Sequence, residues 1–101
     1  MNFLKPLFLT FLLTFPLFAQ ESGEILYQRC VPCHGENGRK VALGKSSIIA
    51  GQSHDLLIQK LTAYQEGTLS IKGMGRLMQA QLRDYTYRDL ENLSRYIESL
   101  H

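Results

Sequence analysis

Two cysteines and a histidine stand together in Cys30-Val31-Pro32-Cys33-His34, a C-x-x-C-H pattern that is typical of covalent haem attachment. On a helical turn, residues at i, i+3 and i+4 project from one face, so both thiols and the imidazole meet the same object. Each thiol can add to one vinyl group of haem and form a thioether, and the imidazole then lies under the iron as its proximal ligand. The pattern therefore predicts one covalently bound haem c, held by Cys30, Cys33 and His34.

Three other uses of the two cysteines stay open on the motif alone. They could form a structural disulfide in an oxidising compartment. A thioredoxin-like redox pair has the same spacing, but no β-α-β pattern surrounds it here. A zinc site needs four ligands, and neither His54 nor His101 stands at a standard zinc spacing from the cysteines. Haem is favoured over these three uses by the adjacent His34, by the signs of export and by a core that lacks large side chains.

The second axial ligand of such an iron decides what the haem does. An open sixth position binds gas or peroxide, whereas a strong second ligand closes the iron and leaves electron transfer. The candidates after the first 19 residues are Met74, Met78, His54 and His101. A methionine is usually core filler, but both methionines stand in an otherwise polar stretch. Spacing within the chain does not choose among the four.

The beginning of the chain predicts an export signal. Lys5 supplies a positive charge, and residues 7–18 are a Leu- and Phe-rich run, too short to cross a bilayer as a helix but suited to a signal peptide. Ala19 is the expected last residue of the signal, although Leu17 is larger than the residue preferred at its position. An uncleaved anchor is the alternative. We predict a signal peptide over residues 1–19, one domain over residues 20–101, and a periplasmic location.

The chain that remains after residue 19 is small and almost neutral. The sequence has 11 Lys and Arg and nine Asp and Glu, and only Lys5 among them falls in the first 19 residues. This balance argues against nucleic acid and anionic membrane as partners, because both need a basic excess. There is no Trp, and all five Phe precede residue 19. A domain this small needs something else to fill its centre.

Apolar periodicity predicts an all-α domain of short helices joined by long loops, since no segment alternates as a strand. A first helix runs into the motif. A second begins after Ser53 and stops at Gly67. A short turn spans residues 76–83, and Thr86 with Asp89 predicts a capped last helix. The long loop over residues 35–51 is typical of a wrapped ligand.

These features together resemble the class I cytochromes c, specifically the small soluble proteins of the bacterial periplasm. The resemblance covers essentially all of residues 20–101. It is carried by Gly23 and Tyr27 before the motif, and then by residues 34–38 (HGENG), 49–52 (IAGQ), 63–67 (AYQEG) and 85–100. It implies the class I cytochrome c fold, in which the first and last helices cross, and Gly23 would allow their close approach near Tyr96.

The resemblance also assigns the second axial ligand to Met78. In the family the ligand methionine precedes the N-cap of the last helix by about eight residues, and Met78 stands eight before Thr86, whereas Met74 stands twelve before it. The family commonly has a proline before the Gly-Gln step, and the carbonyl of that proline accepts the N–H of the ligand imidazole. Here that stretch reads Ser-Ser-Ile, so the carbonyl of Ser47 or Ile48 is the expected acceptor.

The resemblance also indicates where several other side chains are expected to lie. His54, where the family has no ligand, is expected to be a solvated residue of a helix's first turn, and His101 a frayed end. The basic residues after the motif either rim the haem edge or are solvated loop charges: Arg39, Lys40 and Lys45. The expected apolar lining of the haem consists of Leu57, Leu61, Tyr64, Leu93 and Ile97.

The function that the resemblance implies is that of a monomeric electron carrier and not an enzyme. Expected partners are redox proteins such as a quinol:cytochrome c oxidoreductase, a terminal haem–copper oxidase or a di-haem peroxidase. Contact with membranes would occur only through those partners. Two other classes are the alternatives: a haem protein with an open sixth site, and a thiol redox protein without haem.

Overall fold

Five short helices surround a small apolar core in the computed structural model, which describes residues 21–101. They are α1 (Gly23–Tyr27), α2 (Val31–His34), α3 (His54–Glu66), α4 (Gly75–Gln81) and α5 (Tyr87–Glu98), and one 3-10 turn covers Ala42–Gly44. There is no strand within this range, so the prediction of an all-α fold is confirmed. The predicted signal peptide lies outside the described residues. Among the described helices, none is both long and apolar enough to span a bilayer.

Helix α3 begins and ends where its sequence predicts. The Ser53 hydroxyl accepts the backbone N–H of Leu56 at 3.2 Å, which satisfies one of the free donors of the first turn. The helix ends at Gly67, whose φ of 82° is in the left-handed region that glycine adopts without strain. Leu57 and Leu61 are buried on its inner face.

Helix α5 carries the capping box that the sequence predicts. Thr86 accepts the backbone N–H of Asp89 at 3.0 Å, and the Asp89 carboxylate accepts the backbone N–H of Thr86 at 3.0 Å. Behind this cap, the residues that face inward are almost fully removed from water: Leu90 and Leu93 are 0 % exposed and Ile97 is 2 % exposed. Burial of each such side chain stabilises the fold by roughly 1.5–3 kcal/mol.

Helices α1 and α5 cross in close contact at Gly23. A Cβ atom at Gly23 would lie 2.3 Å from the carbonyl oxygen of Asn92 and 2.6 Å from the Cβ of Tyr96. Beside this crossing the rings of Tyr27 and Tyr96 pack with their centroids 5.5 Å apart. The predicted approach of the first and last helices is therefore confirmed, and it depends on the absence of a side chain at Gly23.

Candidate functional site

The motif residues lie on one helical turn, as their spacing predicts. The backbone N–H of Cys33 donates to the carbonyl of Cys30 at 3.2 Å, and that of His34 donates to the same carbonyl at 2.8 Å. Pro32 stands near the beginning of α2, where a missing N–H costs nothing. The two thiols and the imidazole all line one cavity.

This cavity has a volume of about 280 Å³ and brings together residues from four helices. All five side chains expected as an apolar lining contribute to its wall, and so do both candidate methionines. His54 and His101 do not line it. The lining residues that bear on the chemistry are Cys30, Cys33, His34, Leu57, Leu61, Tyr64, Met74, Met78, Leu93 and Ile97.

His34 has the burial and the protonation state that an axial ligand of haem iron needs. Its side chain is buried, and burial lowers the pKa of the imidazole, so the ring is neutral near pH 7 and keeps a free lone pair. Its Nδ1 is buried and has no hydrogen-bond partner within the described range. The expected bond to a carbonyl at Ser47 or Ile48 is not formed. The Ile48 carbonyl instead accepts the side-chain amide of Gln52 at 2.9 Å.

The two cysteines are free thiols in different surroundings. Cys30 is partly buried, and burial raises the pKa of its thiol to about 11. Cys33 is exposed at the cavity wall. Both sulfur atoms are thus free to form thioethers, and the buried one is uncharged at neutral pH.

Tyr27 fixes the end of the helix that carries His34. Its hydroxyl donates to the carbonyl of Gly35 at 2.6 Å, and burial raises the pKa of the phenol to about 12, so the donor stays protonated. On the other side, the carbonyl of His34 accepts the backbone N–H of Lys40 at 3.0 Å. The backbone around the imidazole is therefore held from two directions.

The two methionines lie one helical turn apart, at the beginning of α4 and within it. Met74 is the residue that precedes the helix, and its carbonyl accepts the N–H of Met78 at 3.0 Å, one turn further on. Both side chains are half-buried, and Met78 also packs against the buried core. The assignment of Met78 as the axial ligand stays a prediction.

Arg29 has a role near the cavity that sequence reasoning missed. Its guanidinium donates to Asp84 at 2.8 Å and to the carbonyl of Gln81 at 2.9 Å, and it lies 4.5 Å from the centre of the Tyr85 ring. Arg29, which directly precedes the motif, therefore contacts the end of α4 and the segment that follows it. Its contacts join residues more than 50 positions apart, and no local pattern announces them.

The basic residues after the motif have separate places. Lys45 lines the cavity, whereas the Lys40 ammonium donates to the carbonyl of Pro32 at 3.2 Å. Arg39 is exposed and is not part of the cavity wall. Only Lys45 therefore fits the expectation of a charge at the rim.

The expectation of a solvated His54 is wrong. Its side chain is 18 % exposed, and its Nε2 is buried without a hydrogen-bond partner among residues 21–101. The reason is long-range packing: the Glu98 carboxylate, at the end of α5, accepts the backbone N–H of His54 at 3.0 Å and draws the beginning of α3 against α5.

The residues present fit a covalently held haem. Two free thiols, a neutral imidazole and the thioethers of two methionines converge on a cavity whose other walls are largely apolar. This donor set, with thiols for attachment and soft or borderline axial ligands, suits haem iron.

Comparisons with known proteins agree with this fit. A sequence model of the family described as "Cytochrome c" matches residues 20–101. The chain is similar to cytochrome c-553 of Nitratidesulfovibrio vulgaris, with 33 % identity over 79 residues, 77 % of this chain and 76 % of that protein. It is also similar to cytochrome c-553 of Helicobacter pylori, with 32 % identity over 74 % of each chain. Cytochrome c4 of Pseudomonas aeruginosa is 29 % identical over 71 % of this chain but only 36 % of its own length.

Proposed function

We propose, on the premise that this chain belongs to the cytochrome c family, that it shuttles single electrons between respiratory complexes in the periplasm. Membership of the family makes it an electron-transfer haem protein with covalently attached haem c. The observation that carries the proposal is the convergence of Cys30, Cys33, His34 and Met78 on one largely apolar cavity.

Each of these residues has a separate task in the proposal. Cys30 and Cys33 form the two thioethers, and His34 is the proximal axial ligand. Met78 is the second axial ligand, because it lies in α4 on the cavity wall and packs against the core. A bound haem supplies the one-electron couple of its iron.

The chain's own side chains then set how easily an electron leaves. Leu57, Leu61, Leu93 and Ile97 exclude water from the cavity and disfavour the added charge of the oxidised form. A thioether ligand favours the reduced form as well, so both effects raise the reduction potential. Two strong axial ligands leave no position for a substrate, and we therefore propose a carrier and not an enzyme.

Export to the periplasm and the choice of partners complete the proposal. The apolar run over residues 7–18 supports export by a signal peptide that ends near Ala19. Partners of the expected kind are a quinol:cytochrome c oxidoreductase as donor, and a haem–copper oxidase or di-haem peroxidase as acceptor. The near balance of acidic and basic residues supports proteins rather than nucleic acid or anionic lipid as partners, and we propose that the carrier acts as a monomer.

The test is an absorption spectrum of the purified holoprotein in both oxidation states, for the wild type, Met78→Ala and Met74→Ala. Methionine on low-spin ferric haem gives a weak far-red charge-transfer band, which bis-histidine or water ligation does not. We expect the band in the wild type and in Met74→Ala, and its loss in Met78→Ala with a lower potential and carbon monoxide binding.

Two results would change the proposal in different ways. Loss of the band in Met74→Ala alone would move the ligand by one helical turn and leave the carrier function intact. Ready binding of carbon monoxide by the wild type at neutral pH would favour the second candidate, a gas- or peroxide-binding haem protein with an open site. The two half-buried methionines on the cavity wall argue against that candidate.

A further inference from the structure

Helices α3 and α4 end beside each other, and each end is capped by a glutamine of the other helix. The side-chain amide of Gln65, in α3, donates to the carbonyls of Leu82 at 2.8 Å and Tyr85 at 2.7 Å, just after α4. In return, the side-chain amide of Gln79, in α4, donates to the backbone carbonyl of Gln65 at 3.2 Å. The last carbonyls of a helix have no partner within it, and this exchange supplies one for Gln65; the Leu82 carbonyl, which also accepts the backbone N–H of Tyr85 at 3.1 Å, gains a second.

These bonds matter because α4 has little stability of its own. It has seven residues, too few for an independent helix in water, and the side chain of the residue before it makes no capping hydrogen bond. At its beginning, the N–H of Gly75 donates to the Ser70 hydroxyl at 3.0 Å. Its place on the cavity wall therefore depends on contacts with other parts of the chain.

A short path joins the glutamines to Met78. Gln79 is its direct neighbour in α4. The carbonyl of Met78 accepts the backbone N–H of Leu82 at 3.2 Å, and the carbonyl of Leu82 accepts the Gln65 amide. Leu82 is 1 % exposed and Tyr85 is 8 % exposed, so neither residue is mobile at a free surface. One residue thus separates the α3 amide from the backbone of the proposed ligand.

We propose that Gln65 and Gln79 are positioning residues that hold the Met78 thioether in the cavity by capping the ends of α3 and α4 reciprocally. The proposal rests on the proposed function, in which Met78 is the axial ligand. Removal of these bonds frees α4 to move away from the cavity, and the equilibrium between methionine-bound and methionine-free iron shifts towards the free form. Neither glutamine touches the iron.

The test measures that equilibrium with imidazole as the probe. Imidazole is titrated into the ferric holoprotein and followed by loss of the far-red band. Because it occupies the position that Met78 leaves, its apparent affinity rises in proportion to the methionine-free fraction. Gln65→Glu places a carboxylate oxygen against two carbonyls and removes two hydrogen bonds, so we expect imidazole to bind about 10-fold more tightly.

Matched variants separate positioning from general effects of charge. Gln79→Glu removes one hydrogen bond, and we expect an increase of roughly 3- to 5-fold. Gln65→Lys keeps a donor that reaches the same carbonyls and should restore an affinity close to that of the wild type. Gln59→Glu makes the same chemical change at an exposed position of α3 and should stay within about 2-fold of the wild type.

The outcomes divide clearly. The inference is overturned if imidazole binds Gln65→Glu and Gln79→Glu with an affinity within 2-fold of that for Gln59→Glu. This holds even if the thermal midpoints of the two variants fall, because a purely structural role lowers the midpoint and leaves the affinity unchanged. If Gln65→Glu yields no holoprotein, Gln79→Glu decides. Absence of the band from the wild type, or its persistence in Met78→Ala, defeats the ligand assignment and this inference with it. An unmoved affinity in a protein that has the band defeats the inference only.

Discussion

The attachment side of the cavity and its methionine side are built in different ways. The attachment side consists of α1, α2 and the part of α5 that packs on α1, and the methionine side consists of α4 with residues 68–74 and 82–85. On the attachment side, one helical turn aligns the motif and Gly23 brings two helices into contact at the backbone. On the methionine side, hydrogen bonds between side chains and backbone hold a seven-residue helix: Gln65 of α3 donates to the end of α4, Gln79 donates to the end of α3, and Ser70 accepts an N–H at the beginning of α4.

The two sides of the cavity are made rigid by different interactions. Dense packing against Leu90 and Leu93 fixes the attachment side, and a Cβ added at Gly23 would meet the backbone of α5. On the methionine side Leu82 and Tyr85 are anchored in the core, whereas α4 itself depends on a few hydrogen bonds, and we expect that each of these can be lost without unfolding the core. We therefore expect substitutions on the attachment side to affect the whole fold, and those on the methionine side to affect ligation first.

The largest effect is expected from removal of the attachment residues. In the double variant Cys30→Ala with Cys33→Ala, no thioether can form, so the protein should retain no haem after acid–acetone extraction or on a denaturing gel. The wild type should keep its haem in both. Release of haem from the wild type under those conditions would contradict covalent attachment.

Gly23→Ala tests the packing of the attachment side. The new Cβ would lie 2.3 Å from the Asn92 carbonyl oxygen, so α1 and α5 must separate. Overpacking of this kind costs about 1–3 kcal/mol in the free energy of unfolding. Urea unfolding of the holoprotein should show the loss, whereas the far-red band at neutral pH should persist. A variant as stable as the wild type would mean that the crossing is looser than described.

Two serines sharpen the comparison, because each accepts one N–H in the first turn of a helix. Ser53 does so for α3 and Ser70 for α4. Ser53→Ala and Ser70→Ala should each lower the free energy of unfolding by about 1 kcal/mol. On heating, the far-red band should disappear well before global unfolding only in Ser70→Ala. Equal behaviour of the band in both variants would remove the distinction between the two sides.

The smallest effect concerns the ion pair that bridges the two sides. The Arg29 guanidinium, through its hydrogen bond, lowers the pKa of Asp84 below the ordinary value of 3.8. The stabilisation is thus complete above pH 3.8 and is lost as the pH falls through the lowered pKa. Asp84→Asn should be slightly less stable than the wild type in urea at neutral pH, by a small amount since both partners are largely exposed.

The same pair of proteins in acid provides the control for that measurement. Below the lowered pKa of Asp84 the wild-type carboxyl is protonated, so the difference between the wild type and Asp84→Asn should vanish there. A difference that persists unchanged in acid would point to contacts of the residue other than the ion pair with Arg29.

Features that depend on nearby residues could be predicted from the sequence. The motif spacing, the Ser53 and Thr86 caps and the glycine stop of α3 each involve residues within four positions of one another, and all were confirmed. The five side chains expected as an apolar lining do line the cavity; helical periodicity indicates which of them share a face, and the family resemblance indicates that these faces meet around one site.

Features that depend on distant polar residues could not be predicted. The Glu98 carboxylate that draws in His54 is 44 positions away, and the bonds of Gln65 span 17 and 20 positions. Glutamine and glutamate in a helix look like ordinary solvated residues in the sequence. Nothing local distinguishes the few that cap a neighbouring helix. The hydrogen bond predicted from His34 to a loop carbonyl is not formed, for a related reason. The direction of each carbonyl in a loop depends on the path of the whole loop.

The crossing of α1 and α5 has a consequence for the order in which the domain assembles. The side-chain amide of Asn92 donates to the carbonyl of Glu21 across 71 positions, so the two ends of the domain close the structure together. A ribosome makes α5 last, and Leu93 and Ile97 of the cavity wall arrive with it. Until then Cys30 and Cys33 are reachable from solution, because contacts between distant positions form only after the chain that joins them exists. The topology therefore leaves both thiols reachable early, and α5 later completes the cavity wall beside them while Cys33 stays exposed.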